Sequence, residues 1–157
     1  MTGGSEMDEL DAYEPARTMV NLTREESLGL LAGVPFGRVV FSRDALPAIR
    51  PVNHIVDGDL VVIRTRLSSR LTSAVRTDSE VVVAYEADEI DPVNRLGWSV
   101  VVTGIARTVT DPMRVARYNR LVRPWIDGLM DTIVAVEPTL VTGVRLVERG
   151  AVEAEAS

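Results

Sequence analysis

Residues 50–71 read RPVNHIVDGDLVVIRTRLSSRL, and this stretch decides the fold. Residues 48–56 are β-rich, and Asp57-Gly58-Asp59 supplies the turn chemistry that folds the chain back onto residues 60–66 as a hairpin. The second strand runs out into a polar, basic loop. Between Leu60 and Thr77 stand four arginines, Arg64, Arg66, Arg70 and Arg76, and no acid, in a chain whose formal net charge is -6. A positive island in an acidic protein points to an anionic ligand.

Residue types sharpen the point. Arg64 and Thr65 fall at the end of a strand, and Ser68-Ser69-Arg70 opens LTSAVR, a segment able to form a short helix. Unpaired N–H groups at a helix N-terminus, together with hydroxyls and forked guanidinium donors, make a phosphate site. The same residues also read as an N-cap beside a solvated basic face. Spacing alone leaves both readings open.

Outward from the hairpin, the pattern is that of a mainly β domain. Thr23 followed by Glu26 is a capping-box pattern before Leu28, Leu30 and Leu31, and Gly33 stops that short helix, expected to plug one end of a barrel. Residues 36–42 form a strand and 43–47 a loop. Residues 80–86, EVVVAYE, read as a strand covered on both faces, and 87–97 as a loop rich in Asp, Pro and Asn. Residues 98–109, WSVVVTGIARTV, form the longest β-branched run, with Gly104 marking a bulge or bend. Asp111-Pro112 opens a helix through about Leu121, and Pro124 limits it. Residues 132–136 and 140–147 read as two closing strands separated by Glu137-Pro138. Six or seven strands with few helices predict a small, mostly antiparallel barrel closed on itself. The expected organisation is a mobile tail over 1–20, one domain over 21–148 and a tail over 149–157.

Composition narrows the function. A hydrophobic share of 46% and a charged share of 25% are those of a soluble globular domain. With no cysteine, disulfides, thiolate catalysis and cysteine-bound metals are excluded, and the single histidine, His54, disfavours a metal cluster or a Ser-His-Asp triad. Neither a membrane span nor a signal peptide is evident, so the expected location is the cytoplasm. The acids that follow the island, including Asp78, Glu80, Glu86 and Asp88, argue against nucleic acid as a partner.

The order PVNHIVDGDLVVIRT, SSRL, EVVVAYEADEIDP, GWSVVVTGIA resembles the pyridoxamine 5'-phosphate oxidase-like family of flavin-binding split β-barrels, over residues 22–147. The resemblance implies a homodimer with FMN at the interface. It implies phosphate contacts at Arg64, Thr65, Ser69 and Arg70, with Leu71 next to them. Pro51, Val52 and Asn53 match the strand beside the ring and ribityl chain, and Trp98 and Ser99 match a strand that approaches the flavin, often from the partner subunit. An oxidoreductase acting on a small-molecule substrate follows, since the flavin itself carries the redox chemistry. The acidic ending VERGAVEAEAS differs from the basic C-terminal segment of true pyridoxamine phosphate oxidases and implies another substrate.

Two other functional classes fit the same residues. One is a reductase using 8-hydroxy-5-deazaflavin, with Arg66 and Arg76 available to its anionic tail. The other is a non-catalytic flavin- or haem-binding barrel, in which His54 would be the only histidine for iron. A lone strand histidine is more often a structural group than a ligand. Trp98 and Trp125 read first as packing residues.

Overall fold

The computed structural model describes residues 16–66, 80–123 and 131–150. Within them the chain forms β1 (Arg17–Asn21), α1 (Arg24–Ala32), β2 (Phe36–Arg43), β3 (Leu46–Asp57), β4 (Leu60–Arg66), β5 (Val81–Asp91), β6 (Leu96–Thr108), α2 (Pro112–Leu121) and β7 (Asp131–Glu148). The hairpin expected from the DGD turn is present. Asp57 pairs with Leu60, and Gly58 takes the positive φ of 59° that a two-residue turn demands. Asp44 and Ala45 close the β2–β3 hairpin at φ 51° and 61°.

Every strand pairing is antiparallel. The order β1-β7-β4-β3-β2-β5-β6, with β6 also paired to β7, closes β2 through β7 into a barrel. Closure removes free edges. β7 makes this possible by serving two partners: Asp131 to Val136 pair with β4, while Val134 to Leu146 pair with β6.

Three sequence expectations are corrected. The two closing strands are one, because β7 passes through Glu137-Pro138 at a register shift opposite Thr103/Gly104. Gly104 is required there, since a Cβ would strike the Glu137 backbone, and the bulge lets a residue without an N–H sit in the sheet. The loop expected over 87–97 is the end of a long hairpin: β5 runs to Asp91 and β6 starts at Leu96. Its turn is held by the Asp91 carboxylate, which accepts from the backbone N–H of Val93 and Asn94 and from the Asn94 side chain. Those bonds, from Asn94 first, keep the Asp91 carboxyl below its ordinary pKa. Finally, part of the expected tail is a strand, with β1 paired to the far end of β7 from Arg17↔Glu148 to Asn21↔Val144.

Two apolar layers result. The barrel interior holds Val39, Phe41, Val61, Ile63, Tyr85, Val100, Val102 and Val134, closed at one end by Leu28 and Leu31 of α1. The capping box of α1 is complete: Glu26 N–H donates to Thr23 Oγ1 and Thr23 N–H to Glu26 Oε2. Outside the barrel, α2 covers Val62, Ile133 and Ala135 with Tyr118 and Val122. Asp111 caps α2 by accepting from Arg114 N–H, as its sequence predicts. Asp57, in the hairpin turn, then anchors the helix, accepting from Tyr118 Oη at 2.6 Å and from both terminal nitrogens of Arg117 at 3.3 Å.

Candidate functional site on the outer face of β3 and β4

Strand alternation sorts the predicted residues. Val61 and Ile63 point into the barrel and Val62 points out beneath α2, so Arg64 projects outward and Thr65 inward. Thr65 is buried and lies opposite Thr132 in the ladder. On β3, Val52, His54 and Val56 face the interior while Pro51, Asn53 and Ile55 face out. Asn53 and Arg64 lie one position beyond the paired His54 and Ile63, which makes them neighbours on the outer surface.

Both side chains grip the carboxyl end of α2. Arg64 Nη1 donates to the carbonyls of Val122 at 3.1 Å and Asn119 at 3.4 Å. Asn53 Nδ2 donates to the Arg123 carbonyl, while Asn53 Oδ1 is buried with no hydrogen-bond partner among the described residues. Beside them a groove of about 750 Å³ runs over residues 53–56, between residues 32–35 at the end of α1 and residues 121–123 at the end of α2.

Pro51 lies opposite Arg38 of β2. The Arg38 guanidinium reaches Glu86 at 3.3 Å and Asp88 at 4.0 Å on β5. Burial first, and then the adjacent Asp88, pushes the Glu86 carboxyl up. Phe36, opposite Asn53 in the ladder, is partly exposed on the same face. Trp98 and Ser99 lie elsewhere. They are on β6, three strands round the barrel from β3, about 14 Å at the ~4.8 Å spacing of paired strands. Trp98 packs toward the interior cluster, whereas Ser99, next along the strand, faces out. Ser69, Arg70 and Leu71 lie outside the described residues, as do Arg76 and Trp125.

His54 has a structural place. Only 4% exposed, it donates from Nε2 to the Leu31 carbonyl at 2.7 Å and accepts at Nδ1 from Tyr85 Oη at 2.5 Å. A carbonyl can only accept, which assigns the proton to Nε2. Burial lowers the His54 pKa against the opposing effect of the Leu31 bond, and raises that of Tyr85. Both ring nitrogens are engaged, so the reading of His54 as an iron ligand does not fit this arrangement.

Sequence reasoning missed Arg38, Phe36, Arg123 and the groove. The one signal for Arg123 was the recurrence of arginine at 114, 117, 120 and 123, of which only Arg123 lines the groove. No group of three or more potential metal ligands occurs among the described residues, and no described helix is long and apolar enough to cross a membrane.

Comparison with known proteins places this architecture. A protein of Mycobacterium tuberculosis without assigned function is 58% identical over 136 residues, 85% of this chain and 90% of its own. A solved structure of an FAD-binding protein from Mycobacterium smegmatis is 34% identical, with a TM-score of 0.65 over 82% of this chain and 99% of that one. A candidate pyridoxamine 5'-phosphate oxidase from Corynebacterium glutamicum is 32% identical, with a TM-score of 0.67 over 83% and 94%. The family model for pyridoxamine 5'-phosphate oxidase matches residues 23–148. With the closed antiparallel barrel and its plugging helix, that match assigns the chain to the pyridoxamine 5'-phosphate oxidase family.

Proposed function

We propose that the protein binds a flavin, FMN in the first instance, on the outer face of β3 and β4, and works as an oxidoreductase on a small molecule. The observation that carries this reading is the juxtaposition of Asn53 and Arg64 beside the groove. Arg64 is the phosphate donor, with Ser69, Arg70 and Leu71 completing that end and Thr65, whose side chain turns into the barrel, offering only its backbone. Pro51 and Asn53 line the ring and ribityl chain from the outer face, and Val52, whose side chain turns into the barrel, offers its backbone there. A bound flavin supplies hydride or electron transfer, which leaves the chain to bind, orient and exclude water.

The reading includes a symmetric pair. Ile49, Val40, Ala84, Thr103 and Leu140 follow one another in register across β3, β2, β5, β6 and β7 on the outer face. Ile49 is 63% exposed, Leu140 57% and nearby Val82 67%, an apolar row that suits a second copy. Ser99 shares that face, four residues from Thr103, and pairing there supports its assignment to the partner's cofactor. FAD is the second reading, favoured by the FAD-binding relative at 34% identity. The test is an absorption spectrum of the purified protein with mass spectrometry of any released ligand. A flavin spectrum is expected. A protein that carries none and takes up none overturns the proposal.

A further inference from the structure

We infer that the groove beside Asn53 is a second ligand site, adjoining the flavin contacts at Asn53, for an apolar monoanion carrying a hydroxyl or N–H donor. Its role as the substrate site rests on the flavin reading above. Val34 and Pro35 form one wall, Ile55 the floor and Leu121 the opposite wall, so the body of the ligand meets apolar surface. At about 750 Å³ the space lies within the ~300–1,000 Å³ of small-molecule sites.

Two polar groups give the site its chemistry. Asn53 Oδ1 is a buried acceptor without a donor among the described residues, and its Nδ2 is already committed to the Arg123 carbonyl. A ligand N–H or O–H therefore removes an unmatched polar atom. Arg123 lines the groove, is exposed, and has no ion-pair partner among the described residues. Among the described residues no acid lines the groove, and both nitrogens of His54 are used inside the barrel. The described lining thus carries a single positive charge, which selects a monoanion over a cation.

Isothermal titration of the whole chain, with and without saturating FMN, tests this with 6-hydroxy-2-naphthoate as the probe and 2-naphthol as its uncharged counterpart. The carboxylate should tighten binding about 10-fold, the size of one charge-assisted contact, and Arg123→Ala should erase that advantage. Arg123→Ala keeps the backbone carbonyl that Asn53 holds. Ala32→Trp, at an exposed position on the rim, should block both probes and leave FMN binding unchanged. Equal affinity for the two probes, an unaltered difference in Arg123→Ala, or displacement of the naphthoate by FMN would overturn the assignment. Binding of the naphthoate in this pattern by a chain that takes no flavin would sink the flavin reading and leave the groove site standing.

Discussion

Arg64 Nη1 donates to the carbonyl oxygen of Val122 at 3.1 Å, so a guanidinium on β4 closes the carboxyl end of α2. The last carbonyls of a helix lack intrahelical donors and carry its partial negative charge, and Arg64 answers both needs. Arg64 is therefore tied to the helix as well as to the proposed phosphate. Arg64→Ala is expected to leave the barrel folded and lower stability by about 1–2 kcal/mol, the scale of a charged hydrogen bond discounted for partial exposure. Arg64→Lys should recover part of it. Urea unfolding followed by circular dichroism measures both.

His54 gives a pH dependence of known sign. Its pKa is lowered in the folded protein, chiefly by burial, and is about 6.5 when unfolded. The unfolded chain thus binds the proton more readily. The stability from neutral His54 is complete above about pH 6.5 and is lost as the pH falls below that value towards the folded pKa. Urea midpoints measured between about pH 8 and pH 5 should fall more steeply for the native protein than for His54→Gln. Parallel curves would show that His54 does not titrate differently on folding.

Gly37 makes room for the Tyr85–His54 bond. A Cβ there would strike the Glu86 carbonyl oxygen of β5 and stand 2.7 Å from Tyr85 Oη and 2.8 Å from Cε1. Gly37→Ala should displace the ring and the adjoining β5 backbone and cost about 1–3 kcal/mol, in the range of overpacked cores. Tyr85→Phe should cost about 1 kcal/mol by leaving Nδ1 without a donor. Because the two residues touch, thermal melts of the double variant should show non-additivity.

The apolar outer row predicts the assembly. Ile49→Asp or Leu140→Asp places a charge on a face proposed to be covered by a second copy, and either should shift the protein toward a monomer in light scattering. A native protein that is monomeric at every concentration would remove the proposed pairing.

Local chemistry was readable in the sequence wherever neighbouring residues decide the outcome. Thr23 with Glu26, Asp111 with Pro112 and the DGD turn all act within a few residues, and each stands where expected; the bend at Gly104 also stands where expected, though its cause is the Glu137 backbone on β7. β1 was not readable, because Arg17 to Asn21 become a strand only by pairing with residues 144–148 at the other end of the chain. Nor was the extension of β5 to Asp91, whose polar residues are an exposed hairpin and resemble a loop in composition.

The site divides along the same line. Asn53 and Arg64 were identifiable and are brought together by a hairpin local in sequence. The groove was not, since it joins the ends of α1 and α2 to β3 from Ala32 to Arg123, far apart in the sequence. His54 likewise depends on a carbonyl from α1 and a hydroxyl from β5, and neither partner is visible from its own strand.

The most direct test of the central claim is a fluorescence titration of FMN into the native protein and Arg64→Ala, with FAD and the deazaflavin coenzyme in parallel. Saturable FMN binding is predicted, weakened about 10-fold or more by Arg64→Ala, as expected for a lost charge-assisted phosphate contact. No binding of any flavin by the native protein, or identical curves for the two proteins, would contradict it.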